Sequence, residues 1–167
     1  EEKPAEFVTT RIGDIWPSLR DWAAAKWAIA RGSVLGFLLG VLPGGGAVIS
    51  SMASYAVEKK LSRHPERFGQ GAIEGVAGPE SANNAAAVSS FIPLLTLGVP
   101  ANSVMAMMFA ALLIHGIEPG PYLIRDHADV FWGLIASMYI GNLFLLILNL
   151  PLIGLFAQLV KVPYAIL

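Results

Sequence analysis

The chain of 167 residues contains no cysteine, which excludes disulfides and thiolate metal sites and leaves the redox compartment unread. It is also poor in charge: 14% of residues are Asp, Glu, Lys or Arg, against about 25% in an ordinary soluble domain. The charge clusters, with none between Gly32 and Val57 and none between Val130 and Val160. Net charge is −1, and no basic stripe with interleaved aromatics marks a nucleic-acid surface. Enzyme signatures are missing too. His64, His115 and His127 lie in different segments without metal-ligand spacing, and no HExxH or GxSxG occurs. Gly44-Gly45-Gly46 is not followed by the GK[ST] of a phosphate loop. The run Asp126-His127-Ala128-Asp129 reads as a solvated loop before it reads as a metal site. These absences argue against an enzyme and call for no cofactor. Glu1-Glu2-Lys3-Pro4 is neither a Met start nor a signal peptide, and both ends look cut from something longer.

What is present is apolar: 55% of residues are hydrophobic and mean hydropathy is +0.62. Charge-free stretches of 18 or more residues are membrane-span candidates, because a hydrocarbon core about 30 Å thick takes ~20 helical residues. The expected fold is therefore all-α and polytopic in a membrane. Leu19, Trp22, Ala23, Trp27 and Ala30 share one helical face, so Trp16–Ala30 reads as an amphipathic helix in the membrane interface. That divides the chain into a polar lead with an interfacial helix (1–31) and a transmembrane region (32–167). Gly32–Leu42 and Ala47–Val57 form two apolar stretches split by Pro43-Gly44-Gly45-Gly46, each about 16 Å long as helix, or half a bilayer. The segment is a re-entrant hairpin or a span with an unwound middle. Bases on both flanks (Arg11, Arg20, Lys26 and Arg31 before it, Lys59, Lys60, Arg63 and Arg67 in a loop beginning at Glu58) favour the hairpin, which enters and leaves on one side. A second break, Gly98-Val99-Pro100, separates Asn84–Leu97 from a Met- and Ala-rich helix, Asn102–His115. Glu118–Asp129 reads as a loop, and Val130–Leu150 as an ordinary span ending or kinking at Pro151.

Unwound backbone at membrane depth is tolerated only inside protein or beside a wet cavity. Interrupted helices offer free amides and a positive dipole end to anions, and freed carbonyls to cations. Two such breaks favour a transporter over close packing alone. Pro79-Glu80-Ser81-Ala82-Asn83-Asn84 forms a second constellation. Ser81 or Asn83 suits a helix N-cap, and Glu80 is either a functional carboxylate or an interfacial one at a helix N-terminus. Ser89, Ser90 and Thr96 before the second break, and Asn102 and Ser103 after it, suit substrate oxygens or Na⁺, or else bond back to carbonyls one turn earlier. Asn142 and Asn149 suit inter-helix hydrogen bonds. The candidate substrate and ion site is thus Pro43, Gly44, Gly45, Gly46, Glu80, Asn83, Asn84, Ser89, Thr96, Gly98, Pro100, Asn102 and Ser103, with a Na⁺ position near Asn84, Thr96 and Ser103 and no firm metal site.

The runs GVLPGGGAVISSMASYAVEKKLS (40–62), HPERFGQGAIEGVAGPESANNAAAVSSFIPLLTLGVPANS (64–103) and HGIEPGP (115–121), with RIGDIWPS (11–18) and IGNLFLLILNLPLIGLF (140–156), resemble the large membrane subunit of tripartite tricarboxylate transporters, the TctA family. The joint pattern GxxPGxG, FGxGxxEGVAxPExxNNA and PLLTLGxP is long and specific. The resemblance implies a fragment from the second half of a longer multi-pass protein of the bacterial inner membrane, one half of an inverted-repeat secondary transporter. It implies partners: a small four-helix membrane subunit, a periplasmic solute-binding protein, a carboxylate such as citrate, and the lipid bilayer, with no nucleic acid. The implied activity is import driven by an ion gradient, Na⁺ or H⁺. A scaffold subunit without its own substrate site is the alternative. Pro43, Gly44 and Gly46 occupy the first signature, and Glu80, Asn83 and Asn84 the second. Gly98 and Pro100 match the second break. The family usually continues Pro-Gly-Ser there, whereas this chain has Ala101-Asn102-Ser103, a departure that bears on any role needing bare backbone at 101.

Overall fold

A computed structural model describes residues 17–159, and among them every regular element is helical. α1 spans Leu19–Val41. Nothing in this stretch interrupts a helix: it has no proline, and a lone glycine costs only about 1 kcal/mol. The expected interfacial helix and the first half-span are therefore one 23-residue rod, with no boundary at Arg31. Trp16 lies outside the described residues. The helix ends where Pro43 lacks the amide that would donate to the Leu39 carbonyl, and where the residue before a proline is driven out of helical conformation. A turn follows, and α2 runs Gly46–Leu61. It carries Glu58, expected in a loop, into a helix and buries it to 2% exposure.

After a 3-10 turn at Pro65–Arg67, the Phe68 ring meets Tyr55 edge-on, centroids 5.5 Å apart. α3 spans Glu74–Ser89 with Pro79 inside it. The expected start near Ser81 or Asn83 is thus about two turns late, and neither residue is a cap. The amides of Gly75, Val76 and Ala77 bond back to Ala72 and Ile73. The helix is nucleated upstream of Pro79, which removes one ladder bond only. α3 yields to α4, Phe91–Leu97, at Ser90, because Pro93 has no amide for the Ser89 carbonyl. α5 (Ser103–Ile114), α6 (Leu123–Asp126) and α7 (Ala128–Leu159) complete the order. α6 puts one helical turn into the expected Glu118–Asp129 loop, and α7 continues through Pro151. Leu19–Phe131 form one unit; α7 from Trp132 onward belongs to another and is described by itself. Among the described residues, two helical stretches are long and apolar enough to cross a membrane, Leu19–Val41 and Ala128–Ile153.

The core of the first unit is a contact between backbones. Gly32, Gly36 and Gly40 recur every fourth residue and so share one face of α1. They meet Gly78, Ala82 and Ala86 of α3, in the same order, so the two helices run parallel. A Cβ on Gly36 would stand 2.6 Å from the Ala82 Cα and overlap its carbonyl oxygen; one on Gly40 would stand 2.5 Å from the Ala86 Cα. Such spacing is the small-residue packing by which membrane helices associate without a hydrophobic driving force. α2 runs back against both, burying Ser50, Ser54 and Glu58 from its own four-residue stripe. Filling the α1–α3 contact is expected to be costly. Gly36→Ile should lower stability by about 1–3 kcal/mol as an overpacked site, read as a depressed thermal transition in detergent. Val34→Ile, 62% exposed on α1, should change it by less than about 0.5 kcal/mol.

Candidate functional site

The two Gly/Pro breaks meet. The Gly44 amide donates to the Ala101 carbonyl at 2.9 Å, joining the α1–α2 turn to the α4–α5 link. Gly44 has φ +82°, a conformation open to glycine and strained for other residues. Behind it, the place for a Cβ on Gly45 is filled by the Leu39 carbonyl, the group that Pro43 left without its helical donor. On the other side, Gly98 ends α4 at φ +69°, its amide donating to Leu94 at 3.0 Å. A Cβ there would lie 2.6 Å from the Pro119 carbonyl oxygen. Ala101 is 3% exposed, and no described non-glycine residue has positive φ. Alanine therefore satisfies this position without strain, and the departure from Pro-Gly-Ser leaves the backbone contact intact.

Four helix ends flank this hydrogen bond: the C-termini of α1 and α4, and the N-termini of α2 and α5. α5 is capped by Asn102, whose Oδ1 accepts from the Met105 amide at 3.0 Å. α2 has no side-chain cap at Gly45. N-terminal amides carry partial positive charge and C-terminal carbonyls partial negative charge, so partial charges of both signs lie close together here.

The other predicted residues lie apart from this junction or are engaged locally. Pro43 and Ser103 are exposed, and Pro100 is half-buried. Glu80 is exposed in the interior of α3, not at its start, and its carbonyl accepts from the Asn84 side chain at 3.1 Å. Asn83 is half-buried beside them. Since Ala82 and Ala86 face Gly36 and Gly40, Asn84 stands about 9 Å along the helix axis from the level of Gly44. Ser89 is buried against Gly40, its hydroxyl bonded to the Ala86 carbonyl at 3.3 Å, and Ser90 bonds to Ala87 at 2.7 Å. Thr96 bonds to Ile92 at 2.7 Å. Asn84 and Thr96, named for Na⁺, therefore hold carbonyls of their own helices. Asn149 does the same with Leu145. In the 116–127 segment, Asp126 accepts from the Arg125 guanidinium at 2.7 Å, which holds its carboxyl below the usual carboxylate range. Among the described residues no three His, Asp or Glu side chains gather to hold a metal ion.

Sequence reasoning missed one buried charge. Glu58 receives two hydrogen bonds from Arg31, Nε to Oε1 at 2.8 Å and Nη2 to Oε2 at 2.6 Å. Its four-residue spacing from Ser54 and Ser50, opposite the four-residue glycine stripe, was the available signal.

Apolar, interrupted helices whose ends meet are an arrangement used by membrane transporters. The chain belongs to the tripartite tricarboxylate transporter TctA family, whose model matches residues 1–167. Among curated proteins it is similar to an uncharacterized 52.8 kDa protein in the TAR-I ttuC' 3'region of Agrobacterium vitis, 56% identical over 167 residues. It is also similar to an uncharacterized protein in the TAR-II ttuC' 3'region of the same organism, 64% identical over 132 residues, 79% of this chain. The chain covers 33% of the length of the first and 54% of the second. No solved structure matches it at a significant level.

The cap at the second break yields a direct check. Asn102→Ala should destabilise the start of α5 by about 1 kcal/mol, and Asn102→Ser should recover most of it. Faster amide hydrogen exchange at Met105 in the alanine variant, and near-native exchange in the serine variant, are the expected readings.

Proposed function

We propose that this chain is part of the membrane subunit of an importer of tricarboxylates or related carboxylates, driven by a Na⁺ or H⁺ gradient and fed by a periplasmic solute-binding protein. The observation that carries this reading is the Gly44–Ala101 hydrogen bond, which gathers four helix ends at one point. No Lys or Arg lies between Gly32 and Val57, nor between Ala72 and Arg125. An anionic substrate there relies on helix N-termini, on Asn and Ser side chains and on a co-bound cation. Citrate is the working substrate, and a small four-helix subunit the working membrane partner.

The same reading gives a topology. Arg31, Glu58, Lys59 and Lys60 occupy one level of the α1–α2 hairpin, with the loop bases Arg63 and Arg67 following. By the positive-inside rule this end faces the cytoplasm. From Arg31 to Val41 the helix rises about 15 Å, which brings the hairpin tip near mid-depth of a bilayer. The whole protein is then a multi-pass protein of the bacterial inner membrane, and this chain one half of an inverted repeat.

Uptake of labelled carboxylates by the full complex tests this, with and without the binding protein, in Na⁺ and Na⁺-free buffer. Gly44→Leu should reduce uptake about tenfold or more at equal protein level, equivalent to ~1.4 kcal/mol of lost interaction. Unchanged uptake in this variant would remove the site. Loss of complex assembly with normal transport in what assembles would favour a scaffold.

A further inference from the structure

The small-residue contact that holds the first hairpin on α3 is repetitive. Gly32, Gly36 and Gly40 face Gly78, Ala82 and Ala86, and a slip of the hairpin by one turn, about 6 Å, again lays small residues on small residues. Such a contact gives closeness but weak register. A 6 Å slip would also carry the Gly44 amide off the Ala101 carbonyl. Something that occurs once must select the observed register.

Glu58 meets that need. Its side chain is 2% exposed, and that of Arg31 is 43% exposed. Both carboxylate oxygens are engaged by the guanidinium fork, a geometry with little positional freedom. Its stem lies over Gly78: a Cβ on Gly78 would stand 2.8 Å from the Glu58 Cγ and 3.2 Å from the Ser54 Oγ. The two registers one turn away are both poor. One sets Glu58 over Ala82, where a methyl already occupies that space. The other brings it toward Glu74, carboxylate against carboxylate. Burying the Glu58 carboxylate beneath a half-exposed Arg31 is a costly way to hold helices together, and apolar residues of similar volume often hold them better; in some proteins such pairs serve to fix register. The Ser54 hydroxyl, buried beside Glu58 without a hydrogen-bond partner, fits a site chosen for position over stability.

We infer that Arg31 and Glu58 are positioning residues for the junction: the pair locks α1, α2 and α3 in one register, and thereby seats Gly44 on Ala101. Its bearing on transport rests on the function proposed above; its bearing on geometry does not. The test uses the full-length protein in membranes, with any cysteine outside this chain replaced. Pro43→Cys and Ala101→Cys flank the 2.9 Å hydrogen bond, and their disulfide is quantified by mass spectrometry. Relative to that background, Glu58→Gln and Arg31→Met should each lower the cross-link yield about fivefold or more, and the exchange Arg31→Glu with Glu58→Arg should restore it to within about twofold. The apolar pair Arg31→Met with Glu58→Leu should restore protein level but not the cross-link. An unchanged yield in Glu58→Gln, or full yield in the apolar pair, overturns the inference. Uptake is measured in parallel. A lost cross-link with normal uptake supports the positioning role and removes the junction as the transport site. Lost uptake with a normal cross-link removes the positioning role.

Discussion

The close approach of α1 and α3 is the constraint on which the rest depends. Helices in lipid gain nothing from hiding apolar side chains from one another, so they associate where their backbones can come near. The stripe Gly32, Gly36, Gly40 does this against Gly78, Ala82 and Ala86, and the buried Ser89 fills the space that a side chain on Gly40 would take. With α1 and α3 parallel and in contact, the turn after α1 and the link after α4 emerge at the same end. That packing and the helix lengths bring Gly44 and Ala101 near each other, and the register inferred to depend on Arg31 and Glu58 lets them meet.

The junction is built from omissions. Pro43 and Pro93 withhold amides, and Gly44 and Gly98 turn where side chains would be strained. Each leaves a carbonyl or amide that helical bonding does not use. In hydrocarbon those groups need partners, and here the Gly44 amide finds one in the Ala101 carbonyl, while the Gly98 amide keeps the last helical bond of α4, to Leu94. A transporter gains from this because the groups that remain at helix ends carry partial charges of both signs without a fixed ionic side chain. A substrate held by partial charges can also leave.

Much of this was legible in the sequence where one residue dictates local geometry. Both breaks were visible because proline and glycine act through the backbone, whatever surrounds them. The motifs around them, GxxPGxG and PExxNNA, carried the family. Less legible were features set by tertiary contact. Gly32 looked like a boundary, yet α1 runs through it because that glycine is packed on Gly78. Ser81 or Asn83 looked like a helix cap, yet α3 begins at Glu74, nucleated by amides upstream. Glu58 looked like the first residue of a basic loop; its burial depends on Arg31, twenty-seven residues earlier. For Ser89 and Thr96 the sequence left ligand binding and back-bonding both open; they and Asn84 bond within their own helices. Nothing local to either break says that the two touch.

The central claim is that the meeting of the two breaks forms the substrate-binding junction. A cryo-electron microscopy structure of the full-length protein with a carboxylate bound tests it most directly. The account predicts ligand density within about 4 Å of both the 43–46 turn and the 98–103 link. Ligand bound elsewhere, with the Gly44–Ala101 hydrogen bond undisturbed and the junction closed to it, would contradict the account.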